Sequence, residues 1–112
     1  MSRLKKKFEQ VESLKKKTLV SFVTSCDPDI NSSQKIINLL PECGVDIIEI
    51  GLPFSDPMAD GPTIQKSSQR GIKAGFNMKK TFKIVQNFRK NDQNTPIIFM
   101  GYFNTIFQFG LN

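Results

Sequence analysis

The chain has 112 residues, 16 Lys and Arg against 10 Asp and Glu, a net charge of +6, no histidine and two cysteines. Without imidazole or further thiols a zinc site is not expected, and any mechanism that needs histidine within this chain is excluded. No stretch approaches the ~20 apolar residues of a membrane span, and two isolated cysteines behind an N-terminus without a signal-peptide core point to reduced thiols and a cytoplasmic location.

Ser2 to Lys17 reads as an amphipathic helix. Leu4, Phe8, Val11 and Leu14 fall on one stripe, which leaves Lys5 to Lys7 and Lys15 to Lys17 on the solvated face. The basic charge therefore calls for no nucleic-acid partner, and no recognised nucleic-acid motif accompanies it. Thr18 to Thr24 is β-branched and aromatic, a strand with Phe22 near its C-terminal end. Ser25 to Asp29 is a turn-rich loop. Asn31 or Ser32 is the expected cap of the next helix, with Ile36, Ile37, Leu39, Leu40 and Cys43 as its buried face. Pro41 removes a backbone donor and should end that helix early, with Gly44 close behind.

Val45 to Ile50 forms a second strand, and a long loop follows it. Pro62 to Ala74 is a helix that stops near Gly75. Asn77 caps another, Met78 to Arg89, with Met78, Phe82, Val85 and Phe88 as a core stripe. Pro96 to Met100 is the third strand, and Thr105 to Phe107 is expected to add a helical turn. Such alternation predicts βα units around a parallel sheet in one domain. Neither G-x-G-x-x-G nor G-x-x-x-x-G-K-[ST] occurs, so dinucleotide and P-loop readings fail.

The chain is organised around Ile47 to Gln65. In a strand, Ile48 and Ile50 share one face, and Ile47 and Glu49 share the other. Glu49 thus stands one residue from the C-terminal end of the second strand, where parallel α/β folds bind ligands. A carboxyl facing an apolar interior resists ionisation, and such a group can serve as acid and then as base near neutral pH. A glutamate that merely points into water is the alternative. Asp60, at the far end of the same loop, could share a rim with Glu49. Equally, an aspartate before Gly61-Pro62 is a natural helix cap, and Asp56 before Pro57 is a turn former.

The run from Glu49 through Gly51-Leu52-Pro53-Phe54-Ser55-Asp56-Pro57-Met58-Ala59-Asp60-Gly61-Pro62 to Gln65 closely resembles the signature of the tryptophan synthase α-subunit family. Phe22-Val23-Thr24 with Asp27-Pro28, and Pro96-Ile97-Ile98 with Met100, Tyr102, Asn104 and Gly110, resemble its first and third strands in the right order. The resemblance covers nearly the whole chain. It implies the N-terminal portion of a (β/α)8 TIM barrel, about three βα units behind an N-terminal helix that covers the barrel's bottom. A closed barrel takes roughly 250 residues, so the chain is expected to be an N-terminal piece of a longer protein, with the phosphate-binding loops beyond Asn112.

The implied activity is cleavage of indole-3-glycerol phosphate into indole and glyceraldehyde 3-phosphate, in tryptophan biosynthesis. Glu49 and Asp60 become the catalytic pair, with Phe22, Met100 and Tyr102 as substrate-binding residues. Pro53, Phe54, Asp56 and Pro57 become contacts for a β subunit in an α2β2 tetramer. No metal or organic cofactor is implied in this subunit; pyridoxal phosphate belongs to the β subunit. An inactive fragment that only docks on the β subunit would use the same residues. The family usually has glycine where Cys26 stands. Cysteine tolerates positive φ poorly, so that loop's backbone is expected to differ.

Overall fold

The computed structural model describes residues 2–55, 60–102 and 105–106. Its elements run α1 (Arg3–Ser13), β1 (Val20–Thr24), α2 (Ile30–Leu39), a single 3-10 turn (Pro41–Cys43), β2 (Ile47–Gly51), α3 (Pro62–Lys73), α4 (Met78–Arg89) and β3 (Ile97–Met100). The three strands form one parallel sheet in the order β1-β2-β3. Val20 pairs with Ile47, Phe22 with Glu49 and Thr24 with Gly51. On the other side Glu49 pairs with Ile98 and Gly51 with Met100. Parallel neighbours need a crossover, and helices supply it here. Among the described residues no helix is long and apolar enough to cross a membrane.

Ile48 and Ile50 are fully buried and pack with Ile37 of α2 and with Ile84 and Phe88 of α4. That face of the sheet is the core. Each such isoleucine contributes roughly 1.5–3 kcal/mol relative to an exposed side chain. The opposite face carries Val20, Phe22, Ile47, Glu49, Ile98 and Met100; Ile47 is buried on it, whereas Val20, Phe22 and Met100 are exposed. Phe22 is 36% exposed and Met100 48%. A parallel sheet ordinarily has both faces covered, so this half-built sheet keeps one face open.

Local signals set most of the boundaries. The helix expected as far as Lys17 stops at Ser13, because Lys15 takes a left-handed φ of 53°. Of its apolar stripe Val11 is buried, whereas Phe8 and Leu14 are exposed. Arg3 bonds Gln93, and Lys16 pairs with Asp46 at 2.9 Å, so α1 sits at the N-terminal ends of β2 and β3. Asp29, rather than Asn31 or Ser32, caps α2: its carboxylate accepts from the Ser32 N–H at 2.8 Å and from the Ser32 hydroxyl. Pro41 does end that helix and opens the 3-10 turn, which closes on Gly44 at φ 98°.

Two expected core stripes are rotated. In α2, Ile37 and Ser33 are buried, but Ile36 and Leu39 are exposed, as is Cys43 in the 3-10 turn that follows. Leu39 borders a cleft with Phe88 of α4, and Ile36 borders one with Phe22 and Val23 of β1, so neither is enclosed by a neighbouring helix. In α4 the buried side is Met78, Thr81, Ile84 and Phe88. Phe82 is half-exposed and meets Phe99 edge-on at 5.7 Å. Asn77 caps α4 as expected, accepting from the Lys80 N–H. Of the turn expected at Thr105 to Phe107, Thr105 and Ile106 are helical and Phe107 lies outside the described residues. Cys26 keeps a left-handed φ of 67°, so the residue departs from the family pattern without abandoning positive φ. It is fully buried, and its N–H donates to Ser33 Oγ at 3.1 Å.

Candidate active site

Glu49 projects from the open face of β2, between Phe22 of β1 and Ile98 of β3. Alternation forces this placement, because Ile48 and Ile50 take the helix side. The chain then runs through Leu52 and Pro53, both buried. It comes back to Asp60 just ahead of α3. Gly61 is the first-turn flank of that helix and no side chain caps it. Asp60 is therefore not a helix cap, and its carboxylate is available for other work. Tyr102, just past β3, donates its hydroxyl to Asp60 Oδ2 at 3.3 Å. Its ring lies 5.0 Å from that of Phe54, tilted by 33°.

Glu49 and Asp60 line one cavity of about 460 Å³ at the C-terminal ends of the strands, together with Phe22, Thr24, Met100 and Tyr102. Leu52, Ile64 and Ser68 are also in its wall. The walls combine an aromatic ring, a thioether and a phenol with two carboxylates, a lining suited to a flat apolar ring bearing one N–H donor. Among the described residues no hydrogen bond is made to the Glu49 side chain. Also among them, no three His, Cys, Asp or Glu converge as a metal set.

All five residues singled out for catalysis and substrate binding meet in this cavity. Of the expected partner contacts, Pro53 is buried, with its ring against Gly71 of α3. Phe54 packs on Tyr102. Asp56 and Pro57 lie outside the described residues. Thr24 and Ser68 were not singled out in the sequence. Thr24 had a legible signal, since it follows Phe22 by two positions and so shares its face. Ser68 had none, because its place depends on how α3 lies across β1.

Three bonds hold α3 there. Arg70 grips Asp27 with two hydrogen bonds, of 2.7 and 3.1 Å. The contact with Asp27 pushes the Arg70 guanidinium above its ordinary pKa. Thr24 and Ser67 share a 2.7 Å hydroxyl contact. Ser67 donates its own proton to the Ile64 carbonyl, so Thr24 must be the donor of that pair. Gly71 permits a close approach: a Cβ there would lie 2.8 Å from both Pro53 Cγ and the Ser25 carbonyl.

A parallel βα sheet with paired carboxylates at its C-terminal rim defines an α/β protein of the barrel type, with its site where barrel enzymes carry theirs. The family described as tryptophan synthase alpha chain matches residues 8–112. A tryptophan synthase alpha chain of Nitrosomonas europaea is 46% identical over 106 residues, which is 95% of this chain and 38% of the relative. Tryptophan synthase subunit alpha of Legionella pneumophila superposes with a TM-score of 0.95 at 38% identity, over 98% of this chain and 42% of that one. A chain of the tryptophan synthase α2β2 complex of Pyrococcus furiosus gives 0.77 at 43% identity, over 83% and 37%. This chain belongs to the tryptophan synthase alpha chain family, and it spans about two fifths of the length of these relatives.

Proposed function

We propose that this chain supplies the first three βα units of a tryptophan synthase α subunit, and that the completed barrel cleaves indole-3-glycerol phosphate into indole and glyceraldehyde 3-phosphate. The observation that carries the reading is the common cavity of Glu49 and Asp60, walled by Phe22, Met100 and Tyr102. The reaction breaks a carbon–carbon bond whose electrons must return to the indole ring, a poor acceptor unless that ring is first protonated. Glu49, as the acid, gives its proton to the ring carbon that bears the side chain. The ring nitrogen becomes positive, and Asp60 accepts a hydrogen bond from its N–H and stabilises that charge. Glu49, now a carboxylate, takes the proton of the adjacent substrate hydroxyl. The bond then breaks, the aldehyde forms, the electron pair neutralises the ring, and Glu49 is again protonated.

This sequence needs a carboxyl that is neutral part of the time. No metal or organic cofactor takes part in these steps. The β subunit is the proposed partner, the pyridoxal phosphate would be its own, and Phe54, Asp56 and Pro57 are the proposed contacts. An isolated chain with an open inner face fits a docking role better than catalysis. The test is to join the chain to the remaining units of a relative and assay indole release. Release that depends on Asp60 supports the reading; a folded barrel in which Asp60→Asn turns over like the parent refutes it.

A further inference from the structure

Asp60 belongs to the loop after β2, yet among the described residues no hydrogen bond joins it to β2. Its backbone carbonyl accepts from the side-chain amide of Gln65, Nε2 to O at 2.7 Å, from the first turn of α3. The helix that carries Gln65 is in turn fastened to the loop after β1. Arg70 grips Asp27, Ser67 meets Thr24, and Gly71 lies against the Ser25 carbonyl. These anchors fall at residues 24, 25 and 27 on one side and 67, 70 and 71 on the other. They form a single seam along α3.

We infer that Gln65 and Arg70 are positioning residues for Asp60: the Arg70–Asp27 pair sets α3 on the β1 loop, and Gln65 transmits that position to Asp60, which its carboxylate then presents to Tyr102 and the cavity. The role of Asp60 toward a ring N–H rests on the proposed function, whereas the seam itself does not. An Asp27–Arg70 fork fixes orientation as well as distance, because both parallel bonds must form together. A single-point anchor would let the helix pivot and carry Asp60 along the rim. The geometric demand is strict, since a displacement of order 1 Å at a charge-stabilising group can cost about 100-fold in rate. Neither Gln65 nor Arg70 lines the cavity itself.

Tyr102 is the single tyrosine and the chain has no tryptophan. Its emission responds to the Asp60 contact, because a carboxylate that accepts a hydrogen bond from the phenol quenches tyrosine fluorescence. Comparison with Asp60→Asn isolates that contribution from the contact with Phe54. The experiment compares this chain with Asp60→Asn, Arg70→Gln, Arg70→Lys and Gln65→Leu, each checked by far-UV circular dichroism. Asp60→Asn defines the unquenched level. The inference expects Arg70→Gln and Gln65→Leu to lose the quenching while helix content stays, and Arg70→Lys to retain part of it. Parent-like quenching in both Arg70→Gln and Gln65→Leu overturns it, as does a parent emission no lower than that of Asp60→Asn. If Arg70→Gln unfolds, Gln65→Leu decides alone, since it lies outside the seam. Lyase activity is not the readout, so a failure of the proposed reaction leaves this result standing, and the reverse.

Discussion

Gly51 makes room for the ring of Phe22. The two strands bring them together on the open face of the sheet, and a Cβ at position 51 would run into Cζ and Cε2 of that ring. Both residues line the cavity with Glu49. Gly51→Ala should therefore swing Phe22 outward rather than unfold the chain, because the ring is half-exposed and can turn. In the completed barrel we expect a rise in KM for the indole substrate with a smaller change in kcat. Steady-state kinetics on Gly51→Ala and on Phe22→Leu check this. An unchanged KM in both would remove Phe22 from the binding wall.

Asp46 ties the N-terminal end of the sheet together and gives stability a pH dependence. Its carboxylate accepts from the Leu19 N–H at 2.8 Å and from Lys16 Nζ at 2.9 Å. The Leu19 N–H, then the Lys16 contact, hold its pKa below the ordinary 3.8. A depressed carboxyl stabilises the fold fully above its unfolded pKa, and that contribution disappears as pH falls through the lower folded value. Asp46→Ala should cost about 0.5–1.5 kcal/mol at pH 7, the net worth of a hydrogen bond whose donor keeps some access to water. Urea unfolding at pH 7 and near pH 3 should show the gap between parent and variant narrowing in acid. A gap that stays constant would contradict this account.

The open inner face predicts how the 112-residue chain behaves by itself. Phe22, Val20 and Met100 are exposed on it, beside unpaired strand edges of β1 and β3. Such edges and apolar faces favour association. We expect concentration-dependent self-association by sedimentation, and no measurable indole release, since water reaches Glu49 from the side a closed barrel would shut. Adding the remaining units of a relative as a separate chain should reduce the self-association. A stable monomer at high concentration would count against it.

The parts of this molecule set by neighbours in sequence were legible beforehand. Alternation put Glu49 opposite Ile48 and Ile50, Pro41 and Gly44 stopped α2, and Asn77 announced α4. The family motif supplied Asp60 and Tyr102, whose roles spacing alone could not separate from capping and packing. What stayed hidden depends on contacts distant in sequence. Ile36 and Ile37 are equally apolar, and only the location of α4 decides which one is buried. Thr81 and Ser67 look like surface residues until Ser25 and Thr24 arrive from more than forty positions away. Asp29, Asn31 and Ser32 carry the same capping signal, and only the backbone path into α2 decides among them.

The central claim is that one carboxyl, Glu49, gives a proton to the indole ring and takes one from the substrate hydroxyl. The most direct measurement is kcat for indole release by Glu49→Gln in the completed barrel, with the fold checked by circular dichroism. Acid–base catalysis of this kind contributes roughly 100- to 10,000-fold, and glutamine can do neither step. We therefore predict a loss of kcat of at least the lower figure with the fold and substrate binding retained. Turnover within a few-fold of the parent would contradict the account.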